Sequence, residues 1–238
     1  LIGRGVAKTE PAIKIGKAPF FARNIVTSGY RTVLVSEKKE GEAGPNLPEF
    51  IQGTEPDSGG TPVRSLGLPV RETPEVPWDA PDEWAVVDAF GADPTGEKDA
   101  SDAIQKALDS GATTVFFPGS YSFSKPVKVR GQVRRLLGCG GWMDYNGNSL
   151  PDLIVEDGKA PTVTIEHFAP IHGIEVSTTR TVVFRSLEAR SITFRRNGMA
   201  FFEDSCTGDL WLNPDQRVWA RQLNIENEGT HLTNNGAT

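Results

Sequence analysis

Three carboxylates stand close together in the C-terminal part of the sequence, at Glu203, Asp204 and Asp209, and two arginines precede them at Arg195 and Arg196. Two carboxyl groups can cleave a glycosidic bond when they lie about 5 Å apart, or about 6.5–9.5 Å apart for an inverting reaction. The alternative interpretation is that these are solvated turn residues in exposed ion pairs. Catalysis by the three acids, with the two arginines binding substrate, therefore requires a fold that brings neighbouring strands into register.

Aromatic side chains could supply a binding surface for such a substrate, because a ring offers a flat apolar face to a sugar. Trp142 and Tyr145 lie in a long glycine-rich loop between residues 138 and 151. Trp211 and Trp219 lie in apolar runs, where a buried or half-buried aromatic is the more common role. We therefore predict substrate binding at Trp142 and Tyr145.

The same loop resembles a calcium-binding loop only in part. Asp144, Asn146 and Asn148 alternate as calcium ligands do. However, Ser149 stands where such a loop needs glycine, and Val155 where it needs a bidentate glutamate. The glycine-rich run at 138–141 follows a strand but opens no helix, which excludes a dinucleotide-binding loop. The sequence thus predicts no metal site and no cofactor.

The composition of the 238 residues, 37% hydrophobic and 24% charged with 2 cysteines, excludes collagen, a disulfide scaffold and wholesale disorder. The net charge of -6 argues against a nucleic-acid partner, because neutralising phosphates needs clustered Lys and Arg. No apolar run approaches the roughly 18 residues needed to span a bilayer. Cys139 and Cys206 are predicted to be buried thiols, with a disulfide as the alternative.

Residues 38–82 are predicted to be an acidic, proline-rich linker. Between Gly41 and Glu83 there are nine acids against two arginines, together with eight of the 17 prolines. Prolines stiffen such a segment and like charges extend it. Residues 1–37 contain short strand patterns, and we interpret them as the C-terminal end of a preceding β-helix domain. We expect the chain to be a fragment, with 83–238 forming the N-terminal part of a second domain.

One helix is predicted in the second domain, from Asp99 to Ser110. Ala100, Ala103, Ile104, Ala107 and Leu108 follow helical spacing. Asp99 is the expected N-cap, and Gly111 follows the end of the pattern. A single short helix cannot cover both faces of a parallel sheet, which excludes a doubly wound fold.

From Thr113 onward, short apolar runs alternate with turn residues, and two-residue hairpin turns are largely absent. About twelve strands without helices leave a sandwich, a propeller or a solenoid. Single Asn and Asp residues at the bends favour stacked coils. The predicted fold is all-β, a right-handed parallel β-helix with the helix capping its N-terminal end. The predicted strands are 114–117, 127–129, 135–137, 153–155, 163–165, 174–176, 182–184, 192–194, 200–202, 210–212, 218–219 and 223–225.

An internal comparison supports two such domains. When residues 20–25 are aligned with residues 218–223, two of the six positions are identical. Both segments follow a strand and a turn and precede a bend that contains glycine.

A resemblance to a known family is carried by residues 87–121. The run Val-Asp-Ala-Phe-Gly-Ala-Asp-Pro-Thr-Gly at 87–96, the helix pattern, and Val-Phe-Phe-Pro-Gly-Ser-Tyr at 115–121 occur in order. Together they resemble the opening of pectate lyase superfamily domains, also called glycosyl-hydrolase-28-related. The sequence departs from that pattern at Asp93–Gly96, where relatives commonly carry Gly-Asp-Gly. The tandem plan resembles the glycoside hydrolase family 55 exo-β-1,3-glucanases.

The resemblance implies a parallel β-helix that acts on or binds extracellular polysaccharide, located outside the cell or at its surface. Two function classes stay open. One is a secreted glycoside hydrolase or polysaccharide lyase, with family 55 chemistry expected in coils after Thr238. The other is a non-catalytic glycan-binding or structural β-helix, such as an adhesin or a tail-spike segment.

Overall fold

The computed structural model describes residues 1–3, 8–37, 44–53, 71–145, 151–226 and 231–238. The chain divides into two compact units, Leu1–Val70 and Arg71–Thr238. Strands make up 56% of the structure and helix 8%, so the all-β class is confirmed. No helix in the described ranges is both long and apolar enough to cross a membrane.

The first unit contains two pairs of strands. The strands are β1 (Pro11–Ile15), β2 (Phe20–Val26), β3 (Thr32–Ser36) and β4 (Asn46–Gln52). β1 and β3 pair in parallel, whereas β2 and β4 pair antiparallel. Their buried side chains form a small core of Ala22, Val33, Leu34, Leu47 and Phe50. That this unit ends a preceding β-helix stays a prediction.

The structure differs from the predicted linker at both of the parts that it describes. Residues 46–52 form β4, because Leu47 and Phe50 bury against the core of the first unit despite the prolines around them. Residues 71–80 belong to the second unit and lie across one of its faces. We call residues 71–80 the strap.

The second unit is a parallel β-solenoid. Two 3₁₀ turns, Pro81–Glu83 and Val87–Phe90, flank its first strand, so the apolar run predicted as one strand from Trp84 to Phe90 is a strand only at 85–86. All pairs between the described strands of this unit are parallel, which confirms the prediction from the missing hairpin signals. Its elements are β5 (Ala85–Val86), β6 (Thr95–Asp99), α1 (Ser101–Leu108), β7 (Thr114–Phe117), β8 (Ser120–Phe123), β9 (Val127–Gly131), β10 (Arg135–Gly138), β11 (Met143–Tyr145), β12 (Leu153–Gly158), β13 (Thr162–Val176), β14 (Thr181–Phe194), β15 (Met199–Leu212), β16 (Arg217–Ile225) and β17 (Leu232–Asn234).

The coils present three parallel sheets, because the long strands β13, β14 and β15 each turn two corners. The first sheet stacks β5, β7, β10, the start of β13 to β15, and β16. The second sheet stacks β6, β8, β11, the middle of β13 to β15, and the end of β16. The third sheet stacks β9, β12, the end of β13 to β15, and β17.

The spacing of the coils is nearly constant over the last four strands of the first sheet. Thr164, Val183, Phe201 and Trp219 stand opposite one another on successive strands. We describe two residues that stand opposite each other on neighbouring strands as one coil apart. Such residues are distant in the chain, yet they lie next to one another because neighbouring strands are only about 4.8 Å apart.

Each of these coils bends from the first to the second sheet at a residue with left-handed backbone. These residues are His167 (φ 63°), Ser186 (φ 45°), Asp204 (φ 49°) and Gln222 (φ 57°). Asn24 in β2 has the same conformation, at φ 55°. Asn24 is the residue that aligns with Gln222 in the internal comparison, so the two aligned segments share a bend as well as a sequence pattern.

The core of the solenoid is built from ladders of inward side chains. Phe184 and Phe202 stack with their ring centroids 4.9 Å apart, and Phe117 packs edge-on to Phe168 at 5.3 Å. Such aromatic contacts stabilise each coil against the next.

Helix α1 caps the N-terminal end of this core, as predicted, although it is shorter than the predicted span of 99–110. Ile104, Ala107 and Leu108 are buried in the same cluster as the first coils. Asp99 accepts hydrogen bonds from both Ser101 and Ser124, which ties the start of the helix to the chain after β8. Burial raises the pKa of Asp99, but these hydrogen bonds outweigh it and bring the pKa down to about 2.

The cap predicts a matched pair of substitutions. Ile104→Ala removes a fully buried side chain and is expected to lower the free energy of unfolding by about 2–5 kcal/mol. Lys106→Ala, on the exposed side of the same helix, is expected to change it by less than about 0.5 kcal/mol. Urea denaturation followed by circular dichroism measures both, and equal effects would show that α1 is not docked.

Candidate functional site

The structure places the three predicted catalytic acids on three different parts of the coil that contains β15. Glu203 lies on the first sheet, Asp204 at the corner that follows it, and Asp209 on the third sheet. The three carboxylates are close in sequence but do not converge on one groove, because the strand turns two corners between them.

Glu203 is held between the first sheet and the strap. Its carboxylate accepts a hydrogen bond from Thr73 at 2.5 Å and another from the Arg185 guanidinium at 2.9 Å, and Arg221 lies 3.7 Å away. Burial raises the pKa of Glu203, but these donors and the two arginines outweigh it and lower the pKa. These contacts favour the ionised form of the carboxylate.

Asp204 lines an open cleft at the corner between the first and second sheets. The cleft has a volume of about 650 Å³, and its polar lining comes from three coils. Ser186 donates a long hydrogen bond of 3.5 Å to Asp204. The polar lining residues are Ser186, Glu188, Asp204, Ser205, Gln222 and Asn224.

Asp209 lies on the outer side of the third sheet, next to the following coil. Its carboxylate is 3.1 Å from Nδ1 of His231. Nε2 of His231 is buried and has no hydrogen-bond partner among the residues that the structure describes. The carboxylate therefore fixes the orientation of the imidazole.

The two predicted substrate-binding arginines follow β14 and pair with acids of earlier coils, not with the three predicted catalytic acids. Arg195 donates to Glu175 at 3.1 Å, and Arg196 donates to Asp157 at 2.7 Å. Glu175 also accepts a hydrogen bond from Ser177 at 2.8 Å. Arg195 thus lies at the end of a third-sheet strand, beside the sheet that carries Asp209.

Trp211 stands on the outer side of the third sheet with 49% of its surface exposed. Its neighbours Leu210 and Leu212 both point into the core, which fixes the indole outward. Thr193 lies directly opposite it on the preceding strand, and Glu175 lies opposite Thr193 on the strand before that. A small cavity of about 210 Å³ next to this row is lined by His172, Glu175, Ser191, Thr193 and Arg195, among others.

We call the outer side of the third sheet around Trp211, Thr193, Glu175, Ser191 and Asp209 the tryptophan face. It brings together one predicted acid, Asp209, and one predicted arginine, Arg195. Sequence reasoning favoured a buried or half-buried role for Trp211 over sugar contact and missed Glu175. The spacing between coils is the signal that could have brought these residues together. It places positions 175, 193 and 211 in one row across the strands and positions 173, 191 and 209 in another.

Of the two aromatic residues predicted to bind substrate, the structure describes one side chain. Trp142 is 37% exposed, and its indole lies over Gly96, where an added Cβ would come within 2.4 Å of the ring. Trp142 also borders a shallow pocket of about 130 Å³ with Pro170 and Arg190. The side chain of Tyr145 and residues 146–150 lie outside the described part of the chain.

Cys139 and Cys206 are unpaired thiols. Cys139 is exposed, so the prediction of burial is wrong at that position, because the residue follows the end of β10. Within the described ranges, no group of three or more His, Cys, Asp or Glu side chains is arranged to hold a metal ion.

Comparison of the chain with protein-family models, with curated protein sequences and with solved structures found no match. Function is therefore inferred from the geometry of the outer surfaces of the solenoid.

The two tryptophans of β15 and β16 are expected to differ in their contribution to stability. Trp219 stacks on Phe201 at 5.1 Å and lies under the Arg71 guanidinium at 5.4 Å, so Trp219→Ala is expected to lower the free energy of unfolding by about 1–3 kcal/mol. Trp211→Ala is expected to change it by less than about 0.5 kcal/mol. Chemical denaturation of both variants measures the difference, and a large loss for Trp211→Ala would contradict an outward, unpacked indole.

Proposed function

We propose that the second unit binds a polysaccharide along the tryptophan face. The observation that carries this proposal is the row of Trp211, Thr193 and Glu175, one side chain per coil, on an outer surface that the strap leaves uncovered. An exposed aromatic plane flanked by a hydroxyl and a carboxylate matches the two kinds of surface that a sugar ring presents.

The stacking direction of the coils suits a polymer. Neighbouring strands lie about 4.8 Å apart, which is close to the length of one sugar residue in an extended chain. A glycan that runs across the strands would place one ring on Trp211, and the next rings beside Thr193 and Glu175. Ser191 and Asp209 lie alongside and can hydrogen-bond ring hydroxyls.

The resemblance of residues 87–121 to pectate lyase superfamily domains supports the same function. A parallel β-solenoid is the fold of that superfamily, and the second unit has this fold. Under this proposal the protein binds extracellular polysaccharide, outside the cell or at its surface.

The binding proposal predicts that Trp211→Ala weakens the affinity for oligosaccharide by about tenfold or more, because stacking on an exposed aromatic plane is lost. Isothermal titration calorimetry against β-1,3-glucan and polygalacturonate oligosaccharides measures the affinity. Trp142→Ala is the matched control, since it removes a partly exposed indole that lies just before β11, outside the tryptophan face. Equal losses in the two variants, or no binding to either glycan, would contradict binding at this face.

A second candidate function is hydrolysis at the same face, and it is favoured by the presence of two carboxylates there, Glu175 and Asp209. On the sheet lattice their backbones are two strands and two residues apart, roughly 12 Å. Only side chains that reach toward each other would bring the carboxyl groups into the range for an inverting glycosidase. The pairing of each acid with its own base, Arg195 or His231, favours binding over hydrolysis.

Reducing-end assays separate the two candidates. If the face hydrolyses the glycan, Asp209→Asn should lower kcat by a factor of about 100 or more while the bound oligosaccharide keeps its affinity. If the face only binds, neither the native chain nor Asp209→Asn releases reducing ends, and Trp211→Ala lowers the affinity for the oligosaccharide.

A further inference from the structure

The strap is attached to the outer face of the first sheet through side chains. Residues 71–80 are not part of any strand, and no backbone-to-backbone hydrogen bond joins them to the sheet among the described residues. Pro74 and Pro77 have no N–H to donate. The coils beneath, by contrast, are joined by continuous parallel ladders. The strap can therefore leave without breaking a backbone ladder.

The contacts of the strap run coil by coil from one end of the sheet to the other. At the C-terminal end, Arg71 lies over Trp219, and Glu72 pairs with Arg221 at 2.8 Å. At the N-terminal end, Asp79 pairs with Arg134. Glu72–Arg221 and Asp79–Arg134 join opposite charges, and salt screens the Glu72–Arg221 pair, which is exposed.

In the middle of the sheet, Arg135 bridges to the strap. Its guanidinium donates to the Val76 carbonyl at 2.7 Å and lies 3.6 Å from the centre of the Trp78 ring. Trp78 is itself 58% exposed, so its ring reports on the strap without being part of the solenoid core.

Asp79 is the anchor of the N-terminal end. Besides the Arg134 guanidinium, its carboxylate accepts hydrogen bonds from Thr113 at 2.7 Å and Thr114 at 2.5 Å, and the Trp84 indole donates to its backbone carbonyl at 3.1 Å. Burial raises the pKa of Asp79, but the threonine and arginine donors outweigh it and lower the pKa. Protonation of the Asp79 carboxylate removes the negative charge to which these groups donate.

On the sheet, the carboxylate of Glu203 also contacts the strap: it accepts a hydrogen bond from Thr73. It faces Arg185 and Arg221 on the two neighbouring strands, and Glu166 lies on the far side of Arg185 at 3.7 Å. Because the pKa of Asp79 is lowered by its contacts in the closed strap, the released form takes up a proton at Asp79 more readily. Closure is fully favoured above the ordinary Asp79 pKa value of 3.8 and weakens as the pH falls below it.

We propose that the strap is an electrostatic latch, which leaves the first sheet as a unit in acid or at high salt while the coils beneath it stay folded. Release hydrates Arg135 and uncovers the Phe201–Trp219 stack, so the solenoid gains an aromatic and cationic surface. The tryptophan face lies on another sheet. A failure of the latch proposal would therefore leave the proposed glycan site unaffected, and the reverse also holds.

The test uses ¹⁹F NMR of the full chain labelled with 5-fluorotryptophan, which gives one resonance for each of the five tryptophans. The spectrum is followed from pH 7 to pH 3 and, separately, with rising salt at pH 7. Far-UV circular dichroism reports on the coils in the same samples. The latch predicts that the Trp78 and Trp219 resonances move together, while the Trp142 and Trp211 resonances and the dichroism stay unchanged.

Two variants sharpen the test at neutral pH. Asp79→Asn removes the anchoring charge and is expected to raise the released population about tenfold or more. Glu75→Gln removes the same charge from a strap residue that makes no ion pair in the described structure, and it is expected to change the population little. If Asp79→Asn fails to fold, the titration of the native chain still decides.

Separate transitions for the strap resonances and the dichroism, with a larger effect of Asp79→Asn than of Glu75→Gln, support the latch. Strap resonances that move only when the dichroism is lost would overturn it, because the strap would then be an inseparable part of the fold. Equal effects of the two variants would also overturn it, since net charge and not the Asp79 contacts would control release.

Discussion

Arg135 brings a full positive charge into the outer layer of the solenoid, where it is 1% exposed, and the packing of the second unit depends on its partners. The sheet supplies one of them, the Glu166 carboxylate, while the strap supplies the Val76 carbonyl and the Trp78 ring. Burial lowers the pKa of Arg135, yet the group stays protonated, as arginine does in proteins. Losing the Glu166 carboxylate in place would leave a buried charge uncompensated, at a cost of about 3–5 kcal/mol. Release of the whole strap is different, because water then replaces both strap partners.

The constant spacing of the coils explains why charge is organised in rows. On the first sheet, Glu166, Arg185, Glu203 and Arg221 stand opposite one another on successive strands, so acids and arginines alternate along the row. On the third sheet, the same geometry lines up Glu175, Thr193 and Trp211. The same strand register aligns the residues of both rows. The rows differ in whether another segment of the chain covers them. The strap crosses the first sheet, where the outward residues Val183 and Phe201 are buried, whereas the indole of Trp211 faces solvent.

Local patterns in the sequence predicted the strands of two sheets and the cap, and they failed where the signal is not local. All but one of the predicted runs coincide with strands of the first and third sheets, because the apolar inward residues of those sheets alternate clearly, as in Leu210 and Leu212. The exception is 223–225, which pairs with the part of β15 in the second sheet. Other strands of the second sheet, such as Ser120–Phe123, mix polar and apolar residues and were missed. The strap shows no hydrophobic periodicity that would predict its place. It is held on the sheet by contacts that include ion pairs with residues up to 149 positions away in the chain. Composition alone made it look like a linker.

The candidate site shows why proximity in sequence is a poor guide to chemistry in a solenoid. Glu203, Asp204 and Asp209 are neighbours along one strand, and that strand turns two corners, so the three carboxylates face a covered sheet, an open corner and an exposed sheet. Residues one coil apart are the true neighbours, because register and not chain order decides what a ligand can touch at once. Glu175, Thr193 and Trp211 share such a row although each belongs to a different coil. A search for function in this chain therefore has to compare positions one coil apart before it compares adjacent ones.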